Sequence, residues 1–128
     1  MKLHHIGIVV KNINEYEKKF IYEKKIKEVV DPIQNARLCL YASYSETLIE
    51  LIEPLNEKSF VWNALIKRGN HIHHLCYMHE DLEEVIIQTK KLGFLQIFGP
   101  IKATLFSDKM VIFFYTKNKE IVEFLIGD

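Results

Sequence analysis

Four side chains of this 128-residue sequence fall into two matched pairs: His5 with His74, and Glu50 with Glu123. Imidazole and carboxylate are both good donors for divalent first-row metals. Two of each on one ion would leave coordination positions for water or substrate, a set that suits Ni, Co, Zn, Fe or Mn without choosing among them. The pairing comes from a repeat. "HHIGIVVKNINEYEKKF" (4–20) lies over "HHLCYMHEDLEEVIIQT" (73–89) without a gap, both double histidines in register. Further on, "IELIE" (49–53) matches "VEFLI" (122–126), which sets Glu50 opposite Glu123. A lone His or Glu in an apolar run is commonly a hydrogen-bonded core group. Packing alone gives no reason for both donor types to recur in both halves.

Strand alternation selects one histidine from each doublet. Side chains on a strand alternate between faces, so His5 shares its face with Gly7 and Val9, and His74 shares its face with Cys76 and Met78. A small residue two places on leaves space beside each of these rings. His4 and His73 have the opposite parity and read as packing or hydrogen-bonding residues at the strand starts. Glu50 sits between Leu48 and Ile52, and Glu123 between Ile121 and Leu125. A buried carboxylate without a partner costs several kcal/mol or surrenders its charge, and a cation removes that difficulty. His71 and His79 read as loop or surface residues.

The elements that must carry these donors follow from the same alignment. Each copy begins with a strand and then shows a helix start with capping-box spacing, Asn12 with Glu15 and Asp81 with Glu84. Room remains for two more strands before the last one, roughly 26–31 and 36–42 in the first copy and 94–98 and 109–115 in the second. The unit reads βαβββ, twice. Tyr16 and Phe20, and likewise Val85, Ile86 and Leu92, are expected in the core. Between the copies, Ser59 is positioned to cap a short helix through "FVWNALIKR" that stops at Gly69. The lysine-rich "EKKFIYEKKIKE" reads as a solvated helix face and following turn, a basic rim that could attract an anionic substrate tail.

The length suits one α+β domain over 1–128: a first module of about 1–55, a helical insert of about 56–70 and a second module of about 71–128. Seventeen basic and seventeen acidic residues cancel and are interspersed. That gives no electrostatic footprint for nucleic acid or an anionic membrane. The opening residues lack a signal-peptide pattern, and no apolar stretch is long enough to span a bilayer, so a cytoplasmic protein is expected. Cys39 and Cys76 lie in apolar strands without CxxC spacing and read as reduced packing residues.

On these residues the chain resembles the vicinal oxygen chelate (glyoxalase/bleomycin resistance/dioxygenase) superfamily. "IELIEPLNEKSFVWNALIKRGNHIHHLCY" is most like its methylmalonyl-CoA epimerase branch, and "HHIGIVVKNI" is similar to the glyoxalase I branch. The resemblance implies that His5, Glu50, His74 and Glu123 bind a divalent metal, and that eight strands form curved sheets around a shared cavity, commonly within a homodimer. It also implies a small-molecule substrate, an acyl thioester or an α-oxoaldehyde–thiol adduct. Glu123 or Glu50 would abstract a proton α to a carbonyl to give a metal-stabilised enolate. Return of the proton to the opposite face would make the chain an epimerase. Return to the neighbouring carbon would make it a lactoylglutathione lyase, and loss of catalysis would leave a small-molecule-binding protein. The substrate-side loops differ from both branches: "PIQNA" stands where epimerases carry Glu-x-Gly, and "KATLFSDKM" replaces a glycine-rich loop.

Overall fold

The computed structural model describes residues 1–127. The chain runs β1 (Lys2–Val9), α1 (Ile13–Glu17), β2 (Lys24–Asp31), β3 (Ala36–Ala42), β4 (Leu48–Pro54), α2 (Trp62–Arg68), β5 (His71–His79), α3 (Leu82–Lys91) and β6 (Leu95–Ala103). A single 3-10 turn (Thr104–Phe106), β7 (Lys109–Tyr115) and β8 (Ile121–Ile126) complete it. Two βαβββ units are thus separated by α2. Both helix starts are capped from the side chain. Asn12 accepts the Glu15 amide, and Asp81 accepts those of Glu83 and Glu84, filling donors that a first helical turn leaves unpaired.

The strands form one mixed sheet in the order β2-β3-β4-β1-β5-β8-β7-β6. Within each unit the first strand runs parallel to the last, β1 beside β4 and β5 beside β8. The units meet where β1 pairs antiparallel with β5. That pairing joins the strands of both units into one continuous curved sheet whose halves are related by a pseudo-twofold.

Both faces are apolar, as a sheet covered on each side requires. On one face Val10, Cys39 and Tyr41 pack with Ile13 and Tyr16 of α1, and Ile112, Phe114 and Phe124 pack with Val85 of α3. The concave face carries Leu38, Leu40, Ile52, Val111, Phe113 and Leu125. It is closed by residues from outside the sheet: Phe60, Val61 and Leu65 of the insert and Leu105 and Phe106 of the 3-10 turn.

Several expectations are corrected. Ser59 does not cap α2, which begins only at Trp62 behind Val61 and has no side-chain cap. The Ser59 carbonyl accepts the Trp62 amide in a turn, while its hydroxyl is buried without a partner. Burial of Val61 and packing of Phe60 draw this segment into the core before the helix can start. Gly69 does end α2, at φ 68°, a conformation that favours glycine. In α3 the buried stripe is Val85 and Thr89, whereas Ile86 (39% exposed) and Leu92 (61%) face outward. The lysine-rich stretch outlives α1, which ends at Glu17, and places Lys24, Lys25 and Lys27 on the edge strand β2. His71 and His79 are the half-buried ends of β5 rather than loop residues. Strand β6 continues past Gly99 and Pro100 to Ala103, with register breaks on either side of Phe98. An edge strand tolerates a proline because one row of its amides has no partner strand.

Candidate metal centre

Sheet register brings the four donors together. Gly7 on β1 lies opposite Glu50 on β4 and opposite His74 on β5. Cys76 on β5 lies opposite His5 on β1 and opposite Glu123 on β8. Residues directly opposite one another in a ladder point to the same face. The rows Glu50–Gly7–His74 and His5–Cys76–Glu123 therefore stand side by side on the concave face, related by the pseudo-twofold. The middle residue of the first row has to be small. A Cβ on Gly7 would sit 2.2 Å from Cε1 of His74, so the ring occupies space that only glycine leaves.

The donor atoms converge closely. His5 Nε2 and His74 Nε2 are 3.3 Å apart. Glu123 Oε1 is 3.0 Å from each of them, and Glu50 Oε1 is 3.4 Å from each. His5, Glu50, His74 and Glu123 are 0%, 3%, 2% and 2% exposed. With metal bonds of about 2.1 Å, neighbouring donors stand about 3.0 Å apart around an octahedral ion and about 3.4 Å apart around a tetrahedral one. The observed spacings span that range. Glu123 Oε1 is 3.0 Å from two imidazole nitrogens but makes no well-aligned hydrogen bond to either, so it is balanced only by their charge when the rings are protonated and is left unsatisfied beside neutral rings. A cation among the four atoms would satisfy it, so the residues fit a divalent metal.

The charges agree. Burial opposes protonation of His5, but Cys76, Glu50 and Glu123 raise its pKa well above the usual imidazole range. The carboxylates are the neighbours that carry charge at neutral pH, because burial pushes the Cys76 thiol up to about 12. His74 is likewise buried and is raised by Glu123 and Glu50. Burial would raise both carboxylates, and the facing histidines hold them low. Two buried negative charges thus call for two positive ones, whether as two protons on the imidazoles or as one divalent ion between neutral rings.

His4 and His73 depart from strict alternation. Along the β1–β5 ladder Leu3 pairs with Tyr77 and His5 with Cys76, then Gly7 with His74 and Ile8 with Ile72. His4 and His73 are each the extra residue of a β-bulge, which bends the strand and re-aims the side chain. Nδ1 of His4 consequently lies 2.8 Å from Nδ1 of His5, and Nδ1 of His73 lies 2.8 Å from Nδ1 of His74. Burial, then the following histidine, pushes His4 down to about 4 and His73 down to about 3, so both rings are neutral.

Aromatic rings seal the centre. Phe106 stacks on His5 at 5.1 Å and meets His4 edge-on at 5.2 Å. Phe60 meets His73 edge-on at 5.8 Å and stacks on Phe98 at 4.3 Å, while Phe113 meets His74 edge-on at 5.2 Å. Strand periodicity does not reveal this cover, because Phe60 and Phe106 come from the insert and the 3-10 turn. The repeated doublet was the sequence signal for the outer histidines. Each copy carries His-His where a single ligand would need only His.

Two parallel-paired modules around such a cluster define a class, and the chain belongs to the glyoxalase/bleomycin resistance protein/dioxygenase superfamily, which it matches over residues 4–113. That stretch includes His5, Glu50 and His74 and ends before Glu123. Among curated proteins, the chain is 26% identical over 120 residues to "Methylmalonyl-CoA epimerase, mitochondrial" of Dictyostelium discoideum, covering 91% of this chain and 72% of the relative. Among solved structures it is similar to hypothetical protein BH1468 of Bacillus halodurans C-125, with a TM-score of 0.84, 28% identity and coverage of 99% of this chain and 94% of that one. Methylmalonyl-CoA epimerase of Mycobacterium tuberculosis shares the fold with a TM-score of 0.82 at 23% identity, over 98% and 87% of the two chains.

Proposed function

We propose that this chain is a divalent-metal-dependent isomerase that moves a proton on the carbon next to a carbonyl, with an acyl thioester as substrate, in the manner of the methylmalonyl-CoA epimerase it resembles. One observation carries the reading: Glu50 and Glu123 approach one buried centre from opposite halves of the sheet, beside two imidazoles. His5, Glu50, His74 and Glu123 would hold the ion, whether Co, Ni, Zn, Mn or Fe. A bound cation supplies Lewis acidity, drawing negative charge onto the carbonyl oxygen and acidifying the adjacent C–H. Glu123 would take that proton at a carboxylate oxygen, while Glu50, released from the ion and protonated by solvent before substrate enters, would deliver its proton to the opposite face, solvent exchange then resetting both carboxyls. Removal on one face and return on the other inverts the carbon. The aromatic cover keeps water from competing for the proton. The reading takes residues 1–128 as one domain of a cytoplasmic homodimer, acting on a small molecule and not on nucleic acid or membrane. No helix among the described residues is long and apolar enough to cross a membrane.

A second reading comes from the loop before β3. Its one carboxylate, Asp31, is buried and committed to the turn, accepting the Ile33 and Gln34 amides and the Gln34 side chain. Gln34 and Asn35 thus offer no free acid where epimerases carry Glu-x-Gly. Delivery of the proton by Glu50 or Glu123 to the neighbouring carbon of a hemithioacetal would instead give a lactoylglutathione lyase. Retention of ligand without turnover would give a binding protein.

The test combines elemental analysis with solvent exchange. Wild-type protein is expected to hold about one divalent ion per chain. It should also exchange the 2-hydrogen of methylmalonyl-CoA with solvent deuterium, whereas His5→Ala and Glu123→Ala should lose metal with the fold retained. Unchanged metal content in both variants would refute the assignment. Formation of a D-lactoylthioester from methylglyoxal and a thiol, without acyl-CoA exchange, would select the second reading.

A further inference from the structure

We infer that His4 and His73 are positioning residues: each holds the ring of the histidine after it, so that Nε2 of His5 and of His74 stays aimed at the shared centre. The inference rests on the metal-centre reading above and concerns residues that do not themselves reach that centre.

Three observations support it. First, the contact occurs twice, with the same Nδ1 to Nδ1 separation of 2.8 Å in both halves. Second, adjacent residues on a regular strand point to opposite faces, so such a contact needs a departure from regular geometry. The departure is present in both places, as a β-bulge at His4 and another at His73. Bulges disrupt a ladder and persist where they re-aim a side chain. Third, each outer ring meets one aromatic side chain edge-on, His4 against Phe106 and His73 against Phe60.

The chemistry follows from the two nitrogens of an imidazole. A ring that offers the Nε2 lone pair to a cation carries its proton on Nδ1, and a fixed acceptor for that N–H sets both tautomer and orientation. The acceptor is usually a carboxylate or a backbone carbonyl. Here it is a second imidazole, which leaves the ligand ring less electron-rich than a carboxylate would and the bound cation correspondingly more acidic.

The test measures metal affinity separately from turnover. Zn(II) and Co(II) would be titrated in competition with a chromophoric chelator into wild type and into His4→Ala, His4→Leu, His4→Asn and the same three variants at His73. Asn places its carbonyl oxygen about where Nδ1 stands, whereas Leu fills comparable space without an acceptor. Affinity should fall about 10- to 100-fold in the Ala and Leu variants and return to within a few-fold in Asn. In the metal-loaded protein, long-range proton–nitrogen spectra should show a downfield, slowly exchanging Nδ1–H proton on His5 that is lost to fast exchange in His4→Leu and kept in His4→Asn. Circular dichroism selects the folded variants, and the Leu and Asn pair suffices if Ala does not fold. Equal affinity of wild type and Leu, or equal loss in Leu and Asn, overturns the inference while leaving the metal centre intact. A wild type that takes up neither ion overturns the metal-centre reading and this inference together.

Discussion

Gly7 is the residue on which the centre depends most directly, although it donates nothing. The His74 ring occupies the volume that any side chain at position 7 would fill. Gly7→Ala is therefore expected to displace the ring or the strand, with a loss of about 1–3 kcal/mol of stability and a fall in metal affinity. Denaturant unfolding with and without a chelator would measure both. The titration of His5 and His74 gives a second expectation. Their pKa values are raised in the folded protein, so the metal-free cluster contributes stability below the unfolded value of about 6.5. That contribution is lost as pH rises through the higher folded values. Glu50 and Glu123 are lowered, so their contribution is lost only on acidification. Metal must displace the imidazole protons, so its affinity should rise with pH through neutrality, with proton release visible by calorimetry in buffers of different ionisation enthalpy. Metal affinity that does not change between pH 6 and 8.5 would contradict this charge balance.

Elements differ in how far the sequence discloses them. Strands β3 and β7 and both capped helix starts were legible, because alternation and a cap residue are local signals. The convergence of the donors was legible only through the repeat, since Glu50 and His5 meet by parallel pairing that neither segment announces alone. The bulges were not legible, because a count of alternate residues assumes an uninterrupted ladder; this is why His4 and His73 read as facing away from the centre. The late start of α2 and the 3-10 turn are tertiary effects, set by Phe60, Val61 and Leu105 entering the concave face. The turn leads to a prediction. Phe106 covers His5, so Phe106→Ala should speed extraction of bound metal by a chelator several-fold, at a cost of about 1–3 kcal/mol in stability. Stopped-flow chelation would show it, and an unchanged rate would mean that access runs elsewhere.

The whole molecule is two similar halves laid edge to edge, and its outer edges differ from its middle. Strand β2 carries three lysines and β6 a proline at the sheet margins, features that discourage pairing with another chain's strand. The antiparallel β1–β5 contact has no such protection and is buried in the sheet centre. Each half supplies one imidazole and one carboxylate, so neither holds a complete donor set. An ion that binds only the closed arrangement suppresses separation of the halves in proportion to its occupancy. Hydrogen exchange at the amides of β1 and β5 should therefore slow on metal loading far more than exchange in β2 or β6. Such an ion would act as a clasp as well as a reagent: the same event that readies the centre for chemistry would fasten one half of the chain to the other.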